Sequence, residues 1–285
     1  MKEYSQLITI CMVSFHSDKI IKKILKKIPK KYQVIITDNA ITESLKHNLE
    51  NLFKNVKVII PKSNLGNGGG INFALKTIDT RYALYLDVDT DFDEDTVDKL
   101  IKIANTNTDW AILAPNLKNY IYKNIHYINK NESQEVSSMQ FVEGCALLFD
   151  MTELDKIGLY DEKIFLYFEE NDLFFRCLKN KKKILLCRNI YIQHVGNSST
   201  DIKYNTEIEL NRNWHYMWSK FYYYKKNYSY VRGLKETIYQ LFKSLIKVSF
   251  YYFIDKEKFL VYQNRFTGLY NSYLGKKSWK RPNIK

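Results

Sequence analysis

The stretch LYLDVDTDFDED, residues 84–95, decides the fold because it joins an apolar segment to a dense group of acids. Residues 84–86 end a predicted strand, and Asp87 and Asp89 follow directly. Two carboxylates one residue apart at a strand end can bind a hard divalent cation, and that cation can neutralise a diphosphate. The stretch therefore allows three interpretations: a metal site that holds a phosphate substrate, a calcium loop, or a solvated helix start.

The calcium-loop interpretation fails on spacing. An EF-hand loop needs glycine at its sixth position and usually glutamate at its twelfth, but counting from Asp87 these are Phe92 and Asp98. Residues 93–95 instead suit a helix start, where the helix dipole favours carboxylates. A helix start does not explain Asp87 and Asp89, which lie at the strand end, and Asp91 stays unassigned.

The segments before residue 84 alternate between apolar runs and amphipathic patterns. The patterns predict strands at 7–14, 33–37, 56–60 and 82–86, and helices at 18–28, 42–53 and near 71–78. Such alternation with short connections predicts a mostly parallel, doubly wound α/β sheet. Ligands bind such sheets at the carboxyl ends of the strands, where Asp38, residues 64–70 and residues 87–91 fall.

After Asp109 the alternation of predicted strands and helices becomes less regular. Residues 110–149 suggest short strands and turns, and residues 184–194 suggest two short strands that end at His194. From about residue 205 the chain is helical, aromatic and basic. We therefore predict a catalytic domain at 1–204 and a helical extension at 205–285.

The charge balance limits the partners. Lys and Arg number 44 and Asp and Glu number 31, so the net charge is +13. That charge suggests an anionic partner: nucleic acid, a membrane surface or a phosphorylated small molecule. The four cysteines form no Cys-x-x-Cys pair, and neither a signal peptide nor a membrane-spanning run is expected, so we predict a cytoplasmic protein with reduced thiols.

Three further segments carry candidate chemistry. NLGNGGG, residues 64–70, departs from a dinucleotide fingerprint but suits close approach of a nucleotide to backbone amides. FEEND, residues 168–172, places acids among aromatics, which suits either a general base or a capped helix start. His194 is either a structural hydrogen-bonding residue or a ligand.

Taken in order, these segments resemble a known family. The motifs are VSFHS, TDNA, NLGNGGGINFAL, LDVDT, FVEGCALLF, IGLYDEKIFLYFEENDLFFR and IQHVGNSS. Their order is similar to that of the family 2 glycosyltransferases with the GT-A fold, and most similar to the bacterial rhamnosyltransferase-like branch that builds cell-surface polysaccharides. The resemblance covers roughly residues 7 to 225. It implies a GT-A sheet flanked by helices, with a C-terminal helical extension.

The resemblance also implies roles for individual residues. The metal, Mg²⁺ or Mn²⁺, would be held by Asp87, Asp89 and His194. The donor nucleotide would lie against Ser14, Phe15, Asp38, Asn39, Asn64, Gly66, Gly69, Asn72 and Asp87. The sugar and acceptor site would include Glu143, Gly144 and Cys145.

The resemblance implies inverting transfer from a nucleotide-diphosphate sugar to a hydroxyl of a glycan or lipid-linked acceptor. The family carries its base at the second position of a Glu-Asp pair, which here is Glu169-Glu170. Glu170 therefore inherits the role, while the longer side chain keeps Glu169 and Asp172 as candidates.

The C-terminal extension leaves one choice open. Trp214, Trp218 and residues 222–224 are aromatic and interleave with lysines, which suits either a membrane interface on the cytoplasmic face or helices packed through aromatic cores. A basic nucleic-acid-binding protein and a catalytically inactive relative are the rival functions. The acidic clusters and the lack of a nucleic-acid module weigh against the first. Asp87, Asp89, Glu170 and His194 weigh against the second.

Overall fold

The computed structural model describes residues 4–129, 135–195 and 205–284. In its described residues the chain divides into two compact units. The sheet unit comprises Met1–Leu65, Gly70–Tyr160 and Leu173–Thr200. The helical unit comprises Gly66–Gly69, Asp161–Asp172 and Asp201–Lys285. The helical unit thus contains part of the glycine-rich loop and the FEEND acids as well as the extension expected after residue 204.

The described residues of the sheet unit form a ten-stranded sheet. The strands are β1 (Ile8–Ser14), β2 (Gln33–Asp38), β3 (Val56–Ile59), β4 (Tyr82–Leu86), β5 (Thr90–Asp91), β6 (Trp110–Leu117), β7 (Tyr127–Asn129), β8 (Val136–Met139), β9 (Ala146–Asp150) and β10 (Lys183–His194). Their order is β3-β2-β1-β4-β9-β6-β10-β8-β7, and β5 pairs with β10.

The first four strands of this order are parallel to one another, as the alternation of strands and helices predicted. Beyond β4 the sheet is mixed, because β9 is antiparallel to both β4 and β6 while β10 is parallel to β6. The α/β fold class is confirmed, but the parallel character belongs to the first half of the sheet.

Helices cover both faces of the sheet. The helices that carry residues of the sheet unit are α1 (Asp18–Leu25), α2 (Glu43–Leu52), α3 (Gly66–Leu75), α4 (Thr96–Thr106), α5 (Met151–Ile157) and α6 (Glu169–Lys179). Apolar side chains of α1, α2 and α4 belong to one core cluster, and those of α3, α5 and α6 belong to another. Every residue of β4 is buried, which explains its unbroken apolar sequence.

Two elements differ from the sequence-based expectation. The helix expected near 71–78 begins at Gly66, so α3 takes in most of the glycine-rich segment. A Cβ at Gly70 would lie 3.0 Å from both γ-methyls of Val13, so glycine there permits α3 to approach β1. The two strands expected at 184–194 are one strand, β10, with a register shift between Cys187 and Tyr191.

The helical unit contains α7 (Asn205–Asn227), α8 (Tyr230–Tyr251) and α9 (Lys256–Tyr273). The three helices pack around Met217, Phe221 and Leu269. Two glycines permit this packing, since a Cβ at Gly268 would lie 2.3 Å from the Trp214 carbonyl oxygen and one at Gly233 would lie 2.8 Å from the Phe221 ring.

Three aromatic side chains of α7 bear on the choice left open for the extension. Trp214 is 1% exposed, Trp218 3% and Tyr223 9%, so these side chains form a helical core and not a membrane-facing surface. None of the helices in the described part of the chain combines the length and apolarity needed to cross a membrane.

Candidate active site

Asp87, Asp89 and His194 lie together at one edge of the sheet. Nε2 of His194 is 3.1 Å from Oδ1 of Asp89 and 3.5 Å from Oδ2 of Asp87. One ligand atom from each residue lies within 4.8 Å of the others, a spacing that could hold a metal ion. The fold thus brings together predicted metal ligands that are far apart in the sequence, since 105 positions separate Asp89 from His194.

Backbone pairing fixes the three side chains. His194 ends β10 and is paired with Thr90 of β5, the residue after Asp89. The Val195 N–H donates to the Asp89 carbonyl at 3.1 Å, and the Asp87 N–H donates to the Cys145 carbonyl at 2.8 Å. The short strand β5, which periodicity did not predict, therefore joins the acidic stretch to the histidine.

The charges of the group fit a cation. Enclosure by the protein raises the pKa of Asp87 to about 6, against the opposing effects of the Tyr85 hydroxyl and His194. The hydrogen bond to Asp89 raises the pKa of His194, although burial acts in the opposite direction. Burial thus favours a proton on Asp87, and the neighbouring carboxylates favour one on His194. A divalent cation bound by two carboxylates and a neutral imidazole would displace those protons. The donor set suits Mg²⁺ or Mn²⁺.

Tyr85 is a supporting residue that the sequence interpretation missed. Its hydroxyl donates to Oδ1 of Asp87 at 2.5 Å. Tyr85 lies two residues before Asp87, and side chains two apart on a strand share a face, so period-two spacing could have identified it. Thr90 Oγ1 donates to the Asp87 carbonyl at 2.8 Å and fixes the turn.

Ser14 and Asp38 lie side by side at the ends of β1 and β2. Asp38 is fully buried, and burial raises its pKa while the N–H groups of Thr42 and Ala40, which donate to its carboxylate, oppose that shift. The Ser14 hydroxyl is also buried and has no hydrogen-bond partner among the described residues. A buried polar pair at a strand end suits a ligand.

Asn39 connects this pair to the glycine-rich segment. Its N–H donates to the Ser14 carbonyl at 2.8 Å, and its side-chain oxygen accepts from the Leu65 N–H at 3.1 Å. Phe15 follows Ser14, and its ring lies against His16 at a centroid distance of 4.7 Å. The predicted donor residues Ser14, Phe15, Asp38 and Asn39 thus lie close together. Leu65, which follows the predicted residue Asn64, is bonded to Asn39.

Asn72 has a structural contact that accounts for its amide. Its Nδ2 donates to the Tyr160 carbonyl at 2.9 Å, its Oδ1 accepts from the Tyr160 N–H at 3.0 Å, and the residue is 1% exposed. The Asn72 amide thus has a structural role, and a contact of Asn72 with the donor stays a prediction.

Gly66 is fixed by a close backbone approach inside the helical unit. Its φ is +77°, and a Cβ there would lie 2.0 Å from the Phe165 carbonyl oxygen. The same oxygen accepts from the Asn67 N–H at 3.0 Å. Only glycine permits this contact without displacement of the backbone.

Residues 143–145 form the predicted sugar and acceptor segment. Hydrogen bonds hold both ends of the segment. The Glu143 N–H donates to the Tyr122 hydroxyl at 3.1 Å, and the Cys145 carbonyl, on the other side of Gly144, accepts from the Asp87 N–H. Burial raises the pKa of the Cys145 thiol above its usual range, and the negative charge of Asp87 adds to the shift. Cys145 thus positions Asp87 through its backbone, and its thiol stays protonated.

The FEEND acids begin α6, as the helix-start interpretation predicted, but in an unusual backbone setting. Tyr167 and Phe168, directly before Glu169, have φ of +65° and +67°. Two successive left-handed residues that are not glycine are costly and occur mainly where function or packing requires them. The Phe168 ring packs against Tyr216 and Tyr223 of α7, at 5.6 Å between centroids in each case.

Asp172 is held by α7. Its side chain is 0% exposed, and Lys226 Nζ lies 2.7 Å from Oδ1 while Asn227 Nδ2 donates to the same oxygen at 2.9 Å. Lys226 also contacts Asp161 at 2.8 Å. These contacts hold the Asp172 carboxylate in the helical unit. The identity of the base stays a prediction for Glu170, with the buried Glu169 and Asp172 as alternatives.

Comparison with known proteins agrees with this geometry. The family described as Glycosyl transferase family 2 matches residues 9–151. No curated protein matches the chain significantly. Among solved structures, S. aureus TarS 1-349 in complex with UDP is 14% identical with a TM-score of 0.55, covering 98% of this chain and 94% of that one.

Two further structures share the fold. The mannosyltransferase PcManGT from Pyrobaculum calidifontis in complex with GDP-Man and Mn²⁺ is 10% identical with a TM-score of 0.57, covering 95% of this chain and 88% of that one. GalNAc-T7 with UDP, GalNAc and Mn²⁺ is 13% identical with a TM-score of 0.53. The match covers 65% of this chain and 43% of the GalNAc-T7 chain. At these identities the likeness supports the GT-A fold, and the family match over half of the sequence shows that the chain belongs to glycosyl transferase family 2.

Proposed function

We propose that the protein is an inverting glycosyltransferase of the hexosyl or rhamnosyl type. It moves a sugar from a nucleotide-diphosphate sugar to a hydroxyl of a glycan or lipid-linked acceptor in the synthesis of a cell-surface polysaccharide, at the cytoplasmic face of a membrane. The observation that carries the proposal is the group of Asp87, Asp89 and His194 at the sheet edge in a member of this family.

The triad would hold Mg²⁺ or Mn²⁺. When bound, the cation supplies positive charge that stabilises the departing nucleoside diphosphate. Asp89 is the more buried carboxylate, with a side chain 4% exposed against 31% for Asp87, so Asp89 suits a fixed ligand and Asp87 faces the donor. His194 orients Asp89 and completes the set.

Ser14, Asp38 and Asn39 would bind the nucleoside. The buried Asp38 carboxylate can accept a hydrogen bond from a base N–H, and the Ser14 hydroxyl supplies a second polar contact. Phe15 and Asn64 would border the same nucleoside, and Gly66 and Gly69 stay nucleotide contacts that the family resemblance implies.

Glu170 is the proposed general base. It lies in the first turn of α6 and is partly exposed, whereas Glu169 is 2% exposed. Glu170 would take the proton from the acceptor hydroxyl as that oxygen attacks the anomeric carbon from the face opposite the diphosphate. Glu143, Gly144 and Cys145 would border the sugar and acceptor.

Donor stabilisation tests the proposal. Uridine-, thymidine- and guanosine-diphosphate sugars would be screened for an increase in Tm with Mg²⁺ or Mn²⁺ and with chelator, because a ligand that binds the native state stabilises it. At least one nucleotide sugar should stabilise the chain, and only with the cation. Failure of all of them with both cations would contradict the proposed function.

The base is tested with Glu170→Gln and the neighbouring Glu169→Gln. Glu170→Gln should lower release of nucleoside diphosphate in the presence of acceptor by at least ~100-fold while donor stabilisation is retained. Near-normal transfer by Glu170→Gln would remove this residue from the role.

A further inference from the structure

The outer face of α8 carries a continuous row of large apolar side chains. Tyr239 is 68% exposed, Phe242 56%, Ile246 68% and Phe250 58%. Their spacings of three, four and four residues place them on one side of the helix. Single exposed apolar residues are ordinary, but a row of four aligned side chains is characteristic of an interaction surface.

The opposite side of α8 accounts for its packing within the helical unit. Gly233, Thr237 and Ser244 are buried, and Leu234 and Leu241 pack against the core of Met217, Phe221 and Leu269. The outer row is therefore an additional apolar face that the three-helix packing does not require.

The row continues past the end of α8 into an apolar tip. Tyr252 is 65% exposed, Phe253 86% and Ile254 65%, and Asp255, the N-cap of α9, follows them. Two aromatics and an isoleucine at a helix corner expose more apolar area to water than a solvated turn needs. Amphipathic aromatic rings are favoured at the boundary between headgroups and acyl chains.

The charges around this surface select its partner. Residues 230–254 contain Arg232, Lys235, Lys243 and Lys247 but only one acid, Glu236, which is paired with Arg232 at 2.6 Å. Lys243 Nζ lies 5.7 Å from the centroid of the Tyr239 ring, at the border of the apolar row. After the apolar tip, Lys256 and Lys258 alternate with Asp255 and Glu257, and Lys258 pairs with Asp255 at 3.0 Å, so the excess of positive charge lies on α8 itself. Basic side chains that flank an apolar row on a helix complement an anionic lipid surface.

We propose that the outer face of α8 and the tip at 252–254 bind the surface of an anionic lipid bilayer. The apolar row enters the headgroup region while the flanking lysines contact lipid phosphates. The surface differs from the α7 aromatics that the sequence offered as one of two alternatives, because Trp214, Trp218 and Tyr223 are buried whereas the aromatic row of α8 is exposed. This inference does not depend on the transfer reaction.

Vesicle flotation of the full chain tests the proposal. The vesicles would be phosphatidylcholine alone or phosphatidylcholine with about 30% phosphatidylglycerol, which supplies the anionic charge. The wild type should float with the anionic vesicles at least ~10-fold more than with the neutral ones, and less as salt is raised. A wild type that stays unbound with both would overturn the proposal.

Substitutions locate the surface. The triple variant Phe242→Gln, Ile246→Gln, Phe250→Gln should lower partitioning by ~100-fold or more, because each apolar side chain contributes about a factor of ten or more on burial. The control variant Ile121→Gln, Ile125→Gln makes the same kind of change at sheet-unit positions that are 91% and 73% exposed, and it should float like the wild type. Equal flotation of the triple variant and the wild type would refute the assignment.

A second copy of the chain is the competing occupant. Sedimentation analysis without lipid distinguishes it, since a wild type that dimerises through this face becomes monomeric in the triple variant, and that result would overturn the membrane proposal. A monomeric wild type is the expected result. The triple variant and the wild type should have equal Tm values and equal stabilisation by the donor. This result would show that the loss of flotation is not caused by unfolding.

Discussion

Gly66→Ala tests how the glycine-rich segment is held. The added Cβ would lie 2.0 Å from the Phe165 carbonyl oxygen, whereas real Cβ atoms essentially never come closer than 3.0 Å. The two backbone segments must therefore separate by about 1 Å, in the manner of an overpacked core. This separation also stretches the hydrogen bond from Asn67 N–H to the same oxygen.

Two effects should lower the free energy of unfolding of the Gly66→Ala variant. The positive φ costs about 1–2 kcal/mol for a residue with a Cβ, and the steric displacement adds about 1–3 kcal/mol. Gly275→Ala is the matched control, because Gly275 has a φ of +70° but no atom within 4 Å of the added Cβ. The control should show only the first effect.

Thermal unfolding of the full chain measures both variants. A difference of about 2 kcal/mol corresponds to a Tm for Gly66→Ala that is roughly 4–8 °C below that of Gly275→Ala. If the proposed donor site is correct, Gly66→Ala also weakens stabilisation by the nucleotide sugar. Equal Tm decreases for the two variants would refute the close approach of residues 66 and 165.

Three further predictions concern a positioning hydroxyl, a buried ion pair and a buried imidazole. Tyr85→Phe removes the donor to Asp87 and should weaken Mn²⁺ binding by about 10–100-fold in a calorimetric titration, since outer contacts of this kind orient metal ligands. Lys226→Met leaves the buried Asp172 carboxylate without its cation and should lower the free energy of unfolding by about 3–5 kcal/mol in urea titrations. Burial lowers the pKa of His215 from 6.5 to about 3, so the unfolded chain binds a proton in this range that the folded chain does not. The contribution of His215 to the free energy of unfolding should therefore be greatest above pH 6.5. It should decrease by about 1.4 kcal/mol per pH unit as the pH falls towards 5.

Each of these predictions has its own control. Tyr82→Phe removes a hydroxyl from the same strand, one that donates to Asn105, and should leave Mn²⁺ affinity unchanged. Lys243→Met removes an exposed lysine and should change stability by less than ~0.5 kcal/mol. His215→Gln should remove this decrease of about 1.4 kcal/mol per pH unit from the pH dependence of the free energy of unfolding. A Tyr85→Phe variant with full affinity, a Lys226→Met variant as stable as Lys243→Met, or an unchanged slope in His215→Gln would each contradict the corresponding prediction.

The parts of the fold that depend on local pattern were predictable. β4 is an unbroken apolar run because both of its faces are covered, and Asp87 and Asp89 follow where that run stops. The start of α4 at Thr96 likewise follows from the acids at 93–95. Strand ends in a parallel sheet meet at one edge, so the proximity of Ser14 and Asp38 also followed from the pattern.

The remaining features depend on contacts between distant segments. The ion pair between Asp172 and Lys226 joins residues 54 positions apart, and no local pattern indicates that pairing. The Trp214 and Trp218 rings suit a membrane interface in sequence, but the approach of α9 buries them. β5 has only two residues, and it forms because β10 supplies its partner.

The central claim is that Asp87, Asp89 and His194 hold the cation that binds the donor diphosphate. The most direct test is the increase in Tm caused by uridine, thymidine and guanosine diphosphates with and without Mn²⁺, measured for the wild type, Asp89→Asn and Asp91→Asn. Asp91 is the matched control, because it lies two residues from Asp89 but pairs with Lys27 outside the triad. We predict Mn²⁺-dependent stabilisation by at least one diphosphate in the wild type and in Asp91→Asn, and its loss in Asp89→Asn. Stabilisation that needs no cation, or that survives in Asp89→Asn, would contradict the claim.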